Sequence, residues 1–215
     1  MVKKTLILMI SVLLLFPIVV SGETFSLNLR YTPTSTEIIT SKSKLVIAIT
    51  DIVDNRMRKD KTLIGERLTY RDKKEFFAPS GISLEEGVTG MVAEYFKRRG
   101  FQWKRVGAWD NMDANNLKED WGDIVVGGEI IELWNDVVSR FMSNKHKVKA
   151  KLEIVVSDPK EKMILWRDTA TTSLELKEPL FHLESVERII NESLSTCIDN
   201  IFDDQAFKAI LSEFE

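Results

Sequence analysis

Apolar and charged residues alternate along residues 145–156, a pattern that few folds accommodate. Successive side chains of a β-strand point to opposite faces of a sheet, so the alternation predicts a strand with one apolar face and one solvated face. A sheet built on such a strand is covered by other elements on one face only. The apolar positions are Val148, Ala150, Leu152, Ile154 and Val156, and the charged positions are Lys147, Lys149, Lys151 and Glu153.

Two other segments carry apolar residues at helical spacing and can form that cover. The first begins at a capping box, Ser83 to Glu86, and stops at Gly100. The second covers residues 186–201, with Cys197 on its apolar stripe. A short final helix over 205–211 is predicted after Asp204, which can cap it.

Four further segments, 45–53, 101–106, 124–134 and 163–176, are predicted as strands. The order of elements predicts an α+β fold, a two-layer sandwich of a mostly antiparallel sheet with two main helices packed on one face. Residues 44–215 are expected to form this single domain. Residues 23–43, rich in Ser and Thr, are expected to form an extended N-terminal arm.

Residues 1–22 have the three-part layout of a secretory signal peptide. Lys3 and Lys4 precede an apolar run over 5–20, and the small residues Val20 and Gly22 stand before Glu23. The apolar run is shorter than the roughly 20 residues that a spanning helix needs. We therefore predict cleavage before Glu23 and a periplasmic protein, the alternative being a retained segment or a partner that holds the protein on a membrane.

The composition excludes several classes of protein. One cysteine in 215 residues excludes a disulfide scaffold and a cysteine-built zinc site. An apolar share of 44% and a charged share of 29% exclude a disordered chain. Removal of Lys3 and Lys4 with the signal segment changes the formal net charge from −3 to −5, and an acidic chain argues against nucleic-acid binding.

The sequence contains no recognisable nucleophile or phosphate loop. Cys197 would need to be exposed to pair with His146 or His182 as a nucleophile, and its place on an apolar stripe predicts burial instead. Gly127 and Gly128 lie inside a predicted strand without a Gly-Lys-Ser/Thr sequence after them, so they are expected to mark a bulge or close packing.

The carboxylates do not form an evident site either. Asp51 and Asp54 close the first strand of the domain, while Glu129 and Glu132 lie three residues apart in the central strand and are expected on opposite faces. Hard cations need several converging oxygens, which this spacing does not supply. We therefore predict no catalytic residue, no metal ion and no cofactor.

Residues 56–74 are basic within an acidic protein and could serve recognition. Our hypothesis is that this segment contacts an anionic envelope surface, such as phospholipid head groups or lipopolysaccharide phosphates. The alternative is a solvated, mobile loop. The cations are Arg56, Arg58, Lys59, Lys61, Arg67, Arg71, Lys73 and Lys74.

Trp109 and Trp121 lie in a polar loop over 107–122. If exposed, the two indole rings would stack on a sugar or anchor a protein partner, since Trp is enriched at binding hot spots. The alternative is that their large apolar area closes over the core.

Several short runs stand in a fixed order over residues 45–211: Phe77-Ala78-Pro79-Ser80, then Arg98-Arg99-Gly100-Phe101, then Ile130-Ile131-Glu132-Leu133-Trp134-Asn135-Asp136-Val137. Together with the lysine-bearing strand, the hairpin and a closing helix with Asp203 and Asp204, they resemble the YajG-like bacterial lipoproteins. The resemblance implies an exported envelope protein with an α+β fold and no assigned enzymatic activity.

The chain departs from that family at its anchor. Members are attached through a lipidated cysteine after the signal, whereas here Glu23 follows Ser21 and Gly22. No thiol is available there, so the acyl anchor, which contributes about 0.8 kcal/mol per buried CH₂, is missing.

Our leading hypothesis is a non-enzymatic exported envelope protein, a small binding or accessory module that acts through contacts with an envelope protein or an anionic lipid surface and binds no nucleic acid. One alternative is a cell-wall or envelope hydrolase, which would require Asp51, Asp54 and Glu129 or Glu132 to meet in a cleft. Another is a periplasmic auxiliary subunit of a transport system.

Overall fold

The computed structural model describes residues 22–34 and 44–214, so most of the predicted signal segment and residues 35–43 lie outside the described residues. Those two ranges contain eight strands, three helices and two single 3₁₀ turns, at Ala114–Asn116 and Glu119–Trp121. The strands are β1 (Glu23–Leu27), β2 (Val46–Asp54), β3 (Gly65–Leu68), β4 (Lys74–Pro79), β5 (Gln102–Arg105), β6 (Ile124–Arg140), β7 (Ser143–Asp158) and β8 (Met163–Glu178); the helices are α1 (Leu84–Arg98), α2 (Leu183–Phe202) and α3 (Gln205–Phe214).

The strands form one mixed sheet around β6. One side of β6 pairs in parallel with β2 along its first half and with β3 along its second half, while its other side pairs antiparallel with β7. Strand β5 extends the sheet beyond β2, β4 and β1 extend it beyond β3, and β8 pairs with β7.

The expectation of a mostly antiparallel sheet is wrong, although the α+β class is confirmed. Of the seven strand pairs in the described ranges, four are parallel. Antiparallel strands joined by tight turns, such as β6, β7 and β8, are neighbours in sequence, whereas parallel partners are separated by long crossovers that leave no local signal. Strands β1, β3 and β4 were not predicted.

The main core lies between the helices and one face of the sheet. The inward side chains of β7, from Val148 to Val156, are buried as the alternation predicts. Phe202 of α2 packs against Tyr95 and Phe96 of α1, with ring centroids 4.9 and 4.8 Å away, and Phe207 of α3 joins the same aromatic cluster. The expected short final helix is therefore present and belongs to the core.

The opposite face of the sheet is covered over part of its area by the loop 106–122. Trp109, Leu117 and Trp121 pack there on Ala48, Val125 and Val155 as a second, smaller core. Gly127 permits this approach, because a Cβ at that position would lie 2.2 Å from Oδ1 of Asn111 and 2.9 Å from the ring of Trp109. The expected close packing at Gly127 is confirmed. Where this loop covers the sheet, the protein has three layers and not the two that we predicted.

Residues 22–34, the described part of the segment that we expect to form an extended N-terminal arm, contact the sheet and α2. Strand β1 pairs in parallel with β4. After β1, alternate backbone N–H groups bind side chains spaced four residues apart on α2, at distances of 2.9 to 3.1 Å. Two extended residues advance about 6.6 Å and four helical residues about 6.0 Å, so the two repeats match. We call this set the polar ladder: Asn28 with Glu187, Arg30 with Asn191, Thr32 with Ser195 and Thr34 with Asp199.

A β-bulge at Ile131 changes the faces that the glutamates of β6 occupy. The register between β6 and β7 shifts between Ile130 and Glu132. Consequently Ile130 and Leu133, three residues apart, both lie in the core, and Glu129 and Glu132 both lie on the outer face. The expectation of opposite faces is wrong because it assumed an unbroken alternation, which a bulge interrupts.

Candidate functional site

The basic segment is folded, and its cations fall into two groups. The loop 55–64 lies beside the middle of β6, where the amide of Asn55 donates to the carbonyl of Ile130 at 3.0 Å. The turn 69–73 between β3 and β4 lies further along, since Leu68 is opposite Val138 near the end of β6. The eight predicted cations therefore do not form one continuous patch.

Arg56 is a buried structural residue, with 3% of its surface exposed. Its Nε and Nη2 donate to the two carboxylate oxygens of Asp54 at 2.9 and 2.8 Å, and the remaining N–H groups reach the carbonyls of Lys61, Leu63 and Leu133. Burial raises the pKa of Asp54, but the hydrogen bonds and charge of Arg56 outweigh that effect, so its pKa lies below the ordinary value. Arg56 is thus unavailable to an external anion, which corrects the prediction for this residue.

Three other predicted cations make hydrogen bonds or ion pairs within the protein, and the exposed Arg58 has its guanidinium 3.7 Å from the ring centre of Trp134. Arg67 donates to Ser139 at 2.8 Å and to Glu75 at 3.0 Å, with its guanidinium 3.6 Å from the ring centre of Phe181. The ammonium of Lys74 pairs with Glu66 at 3.2 Å, and that of Lys61 donates to the carbonyl of Asp54.

The exposed remainder of the segment is Arg58 and Lys59 in the loop and Arg71 and Lys73 in the turn. The structure adds two exposed cations at the same end of the sheet as the turn, Arg140 of β6 and Lys177 of β8, which sequence reasoning missed. Only the pairing of β3 with β6 and of β7 with β8 brings them there. We call this set of four the tip cations: Arg71, Lys73, Arg140 and Lys177. Within residues 22–34 and 44–214, none of the four makes an ion pair with a carboxylate.

Two clefts flank the ion pair of Asp54 and Arg56. One, of about 290 Å³, lies between the end of β2, the end of β4 and the start of α1. The other, of about 680 Å³, opens between the loop 55–58 and the bulge of β6. In the smaller cleft, Glu85 accepts from the amide of Asp54 at 2.9 Å, and the carboxylate of Asp54 is bound by Arg56, which also lines the larger cleft.

The carboxylates considered in the sequence do not meet in a cleft. Asp51 pairs with Arg105 at 2.6 Å, Glu129 accepts from Asn55 at 2.8 Å, and Glu132 pairs with Lys149 at 2.7 Å. In the described part of the chain no group of His, Cys, Asp and Glu side chains could hold a metal ion. The condition that would favour a hydrolase is therefore not met by these residues.

Cys197 is fully buried, as predicted, and its thiol contacts Thr172 and not a histidine. Its Sγ lies 3.2 Å from Oγ1 of Thr172, and burial raises the pKa of the thiol. His146 is also fully buried and binds Glu178 through Nε2 at 2.9 Å, whereas His182 is exposed at the start of α2. A buried thiol that stays protonated is not a nucleophile.

Trp109 and Trp121 are buried, with 5% and 9% of their surfaces exposed. Nε1 of Trp109 donates to the carbonyl of Asp113 at 2.8 Å, which fixes the ring against the sheet. The rings close over the second core, which was the alternative prediction for this pair. Little indole surface is left to contact a sugar or a protein partner.

No helix in the ranges 22–34 and 44–214 combines the length and apolar character needed to span a bilayer. No protein-family model matches the chain, and no curated protein matches it in sequence.

Comparison with solved structures finds matches at low sequence identity. Protein XCC0632 from Xanthomonas campestris, described under the family model DUF330, aligns with a TM-score of 0.53 and 8% identity over 89% of this chain and 97% of that chain. A putative neuraminyllactose-binding hemagglutinin homolog from Helicobacter pylori has a TM-score of 0.49 and 12% identity, covering 88% of this chain and 97% of that one. Lipoprotein GNA1162 from Neisseria meningitidis has a TM-score of 0.38 and 10% identity, covering 74% and 99%. The likeness to XCC0632 shows a shared fold.

Proposed function

We propose that this chain is a non-enzymatic, exported envelope protein that acts as a binding or accessory module at an anionic envelope surface. The observation that carries the proposal is the group of tip cations, which are exposed and lack ion-pair partners in an acidic protein. Phosphates of phospholipid head groups or of lipopolysaccharide fit this chemistry, and each basic residue near such a surface contributes about 1 kcal/mol.

The envelope location is supported by the signal-like segment over 1–22 and by the resemblance of several runs to YajG-like lipoproteins. The fold shared with XCC0632 is compatible with that resemblance. The non-enzymatic character is supported by the separate pairing of the carboxylates and the burial of Cys197, because hydrolysis needs a nucleophile, a base and an orienting group in one place.

Vesicle binding by the exported protein tests the proposal. The full chain is expressed in a Gram-negative host, and the exported form is sedimented with vesicles of phosphatidylethanolamine and phosphatidylglycerol in a three-to-one ratio. We expect binding that weakens as salt is raised and that is absent on phosphatidylcholine vesicles. The double variant Arg71→Gln/Lys73→Gln is expected to bind about 30-fold more weakly, the effect of about 2 kcal/mol.

The matched control is Arg58→Gln/Lys59→Gln, which removes the same two charge types from exposed positions in the other group. We expect this control to bind within about threefold of the parent protein, since its charges lie away from the surface. Equal losses in the two variants, binding that is insensitive to salt, or failure to find an exported form would contradict the proposal.

A further inference from the structure

Large apolar side chains protrude at the same end of the sheet as the tip cations. The two-residue turn between β6 and β7 carries Phe141 and Met142, which are 87% and 71% exposed. Tyr70 in the turn between β3 and β4 and Leu180 just after β8 are 62% and 65% exposed. Isolated apolar side chains are common on protein surfaces, whereas a group of exposed apolar side chains at one place is typical of an interaction site.

The same end of the sheet is where the chain enters the fold. Strand β1 runs parallel to β4 with Glu23 opposite Glu75, so β1 starts beside the turn 69–73. Gly22 lies against the backbone of that strand, since a Cβ on Gly22 would be 2.6 Å from the carbonyl oxygen of Lys74. The apolar run over 5–20 therefore connects to the structure at this end.

The exposed cations and the exposed apolar side chains at this end favour a membrane surface over a protein partner. The tip cations lie beside the protruding turn that carries Phe141 and Met142, on the neighbouring β3–β4 turn, at the end of β6 and near the end of β8. Among the acids at this end, Glu75 pairs with Arg67 and Glu178 binds His146, whereas Asp72 and Glu23 make no ion pair with a described residue. Amphipathic surfaces that combine aromatic or apolar side chains with Lys and Arg bind at the boundary between head groups and acyl chains, about 5–10 Å deep.

We propose that this end of the sheet docks on a bilayer containing anionic phospholipid, with Phe141 and Met142 entering the head-group and acyl boundary and the tip cations against the phosphates. This inference rests on the proposed function and adds to it the lipid partner and the orientation of the molecule. Strand β7 has 16 residues, so the turn between β7 and β8 stands about 50 Å along the hairpin from the membrane.

Site-specific fluorescence in the exported protein tests the orientation. An environment-sensitive label is attached to the cysteine of Met142→Cys and, in a second protein, to that of Met163→Cys. Met163 is exposed and lies opposite Asp158, at the far end of β7 from position 142. Cys197 is fully buried, so the unsubstituted chain measures background labelling. On phosphatidylethanolamine–phosphatidylglycerol vesicles, we expect a blue shift and a severalfold gain in emission at position 142 and no change at 163.

A second variant measures the apolar contribution in the exported protein. Phe141→Ser/Met142→Asn removes both apolar groups, and Asn suits position 142 because φ there is +56°. We expect at least a tenfold lower vesicle partition coefficient, with the salt dependence retained. Met163→Ser serves as the matched control and is expected to partition like the parent.

The outcomes separate the two proposals. Equal emission changes at 142 and 163, or unchanged partition of Phe141→Ser/Met142→Asn, would overturn the docking inference while leaving the charge effect of Arg71 and Lys73 intact. Loss of that charge effect with a retained apolar effect would instead overturn the proposed function. If neither set of variants matters, both are wrong.

Discussion

The guanidinium of Arg56 is the charged group that organises the loop 55–64. It joins Asp54 at the end of β2 to carbonyl groups of the loop and of β6, with side-chain exposures of 1% for Arg56 and 5% for Asp54. Removing one partner of a buried ion pair leaves the other charge buried and unpaired, which strongly destabilises the folded state. Replacing both partners by apolar residues changes the stability much less.

Arg56→Met is therefore expected to lower the free energy of unfolding by about 3–5 kcal/mol, measured by urea denaturation followed by tryptophan fluorescence. Lys59→Met, three residues away and exposed, is the control and should change it by less than about 0.5 kcal/mol. The double variant Asp54→Asn/Arg56→Met is expected to recover part of the loss. A single-variant loss below about 1 kcal/mol would show that the ion pair does not hold the loop.

His146 makes stability depend on pH near neutrality. Burial lowers the pKa of His146 below its usual value of about 6.5, although the carboxylate of Glu178 acts in the opposite direction. As pH falls through 6.5, the unfolded chain binds a proton that the folded protein does not. The contribution of His146 to the free energy of unfolding is therefore fully present above pH 6.5 and is lost as the pH falls toward the lower pKa of the folded state.

His146→Gln is expected to flatten this decrease, because Gln does not titrate and can still donate to Glu178. The measurement is urea denaturation at a series of pH values from 7.5 to 5.5. The chain has two histidines, and His182→Gln, at the exposed start of α2, is the matched control. If the pH dependence persisted in His146→Gln and disappeared in His182→Gln, it would arise from His182 and the prediction would be wrong.

Among the elements, the polar ladder is the contact between residues 28–34 and α2. Asn191 is 2% exposed; its side-chain oxygen accepts from the amide of Arg30 at 3.1 Å and its Nδ2 donates to the carbonyl of Asn28 at 2.9 Å. Asp199 binds Thr34 through the amide at 2.9 Å and also accepts from the hydroxyl of Tyr31. The segment that follows β1 is therefore held by side chains, without strand pairing.

Asn191→Ala should open this contact locally, since it removes the hydrogen bonds to the amide of Arg30 and the carbonyl of Asn28, each contributing about 0.5–1.5 kcal/mol. Hydrogen exchange followed by mass spectrometry is expected to show faster exchange in residues 28–34 and little change in β7. Glu192→Ala, the exposed neighbour on α2, is the control. Uniform acceleration across the sheet would indicate global destabilisation and contradict a local role.

Elements with a local signal were predictable. The Oγ of Ser83 accepts from the amide of Glu86 at 3.0 Å, Gly100 ends the helix region at φ +82°, and Asp204 accepts from the amide of Ala206 at 2.7 Å. The polar ladder was readable in principle as polar residues every fourth position on α2, from Glu187 to Asp199. The segment that it binds continues an alternation in which Phe25, Leu27, Leu29 and Tyr31 are apolar, and interpreting residues 23–43 as one Ser- and Thr-rich arm obscured this signal.

For the molecule as a whole, the two faces and the two ends of the sheet differ in character. Helices cover one face, the tryptophan loop covers part of the other, and the lysine row of β7 remains solvated beside it. The end with the β6–β7 turn collects exposed apolar groups, the tip cations and the start of β1. This asymmetry underlies the docking orientation proposed above.

The sequence by itself determined the α+β class, the capped helices, the one-sided strand β7 and the burial of Cys197, because each depends on spacing within a few turns or residues of chain. Tertiary structure alone decided the parallel pairs of β6, the bulge that moved Glu129 and Glu132 to one face, the burial of Arg56, and the meeting of Arg71, Lys73, Arg140 and Lys177. Those features join residues tens of positions apart, and their energies come from pairing and desolvation that exist only after the chain has folded.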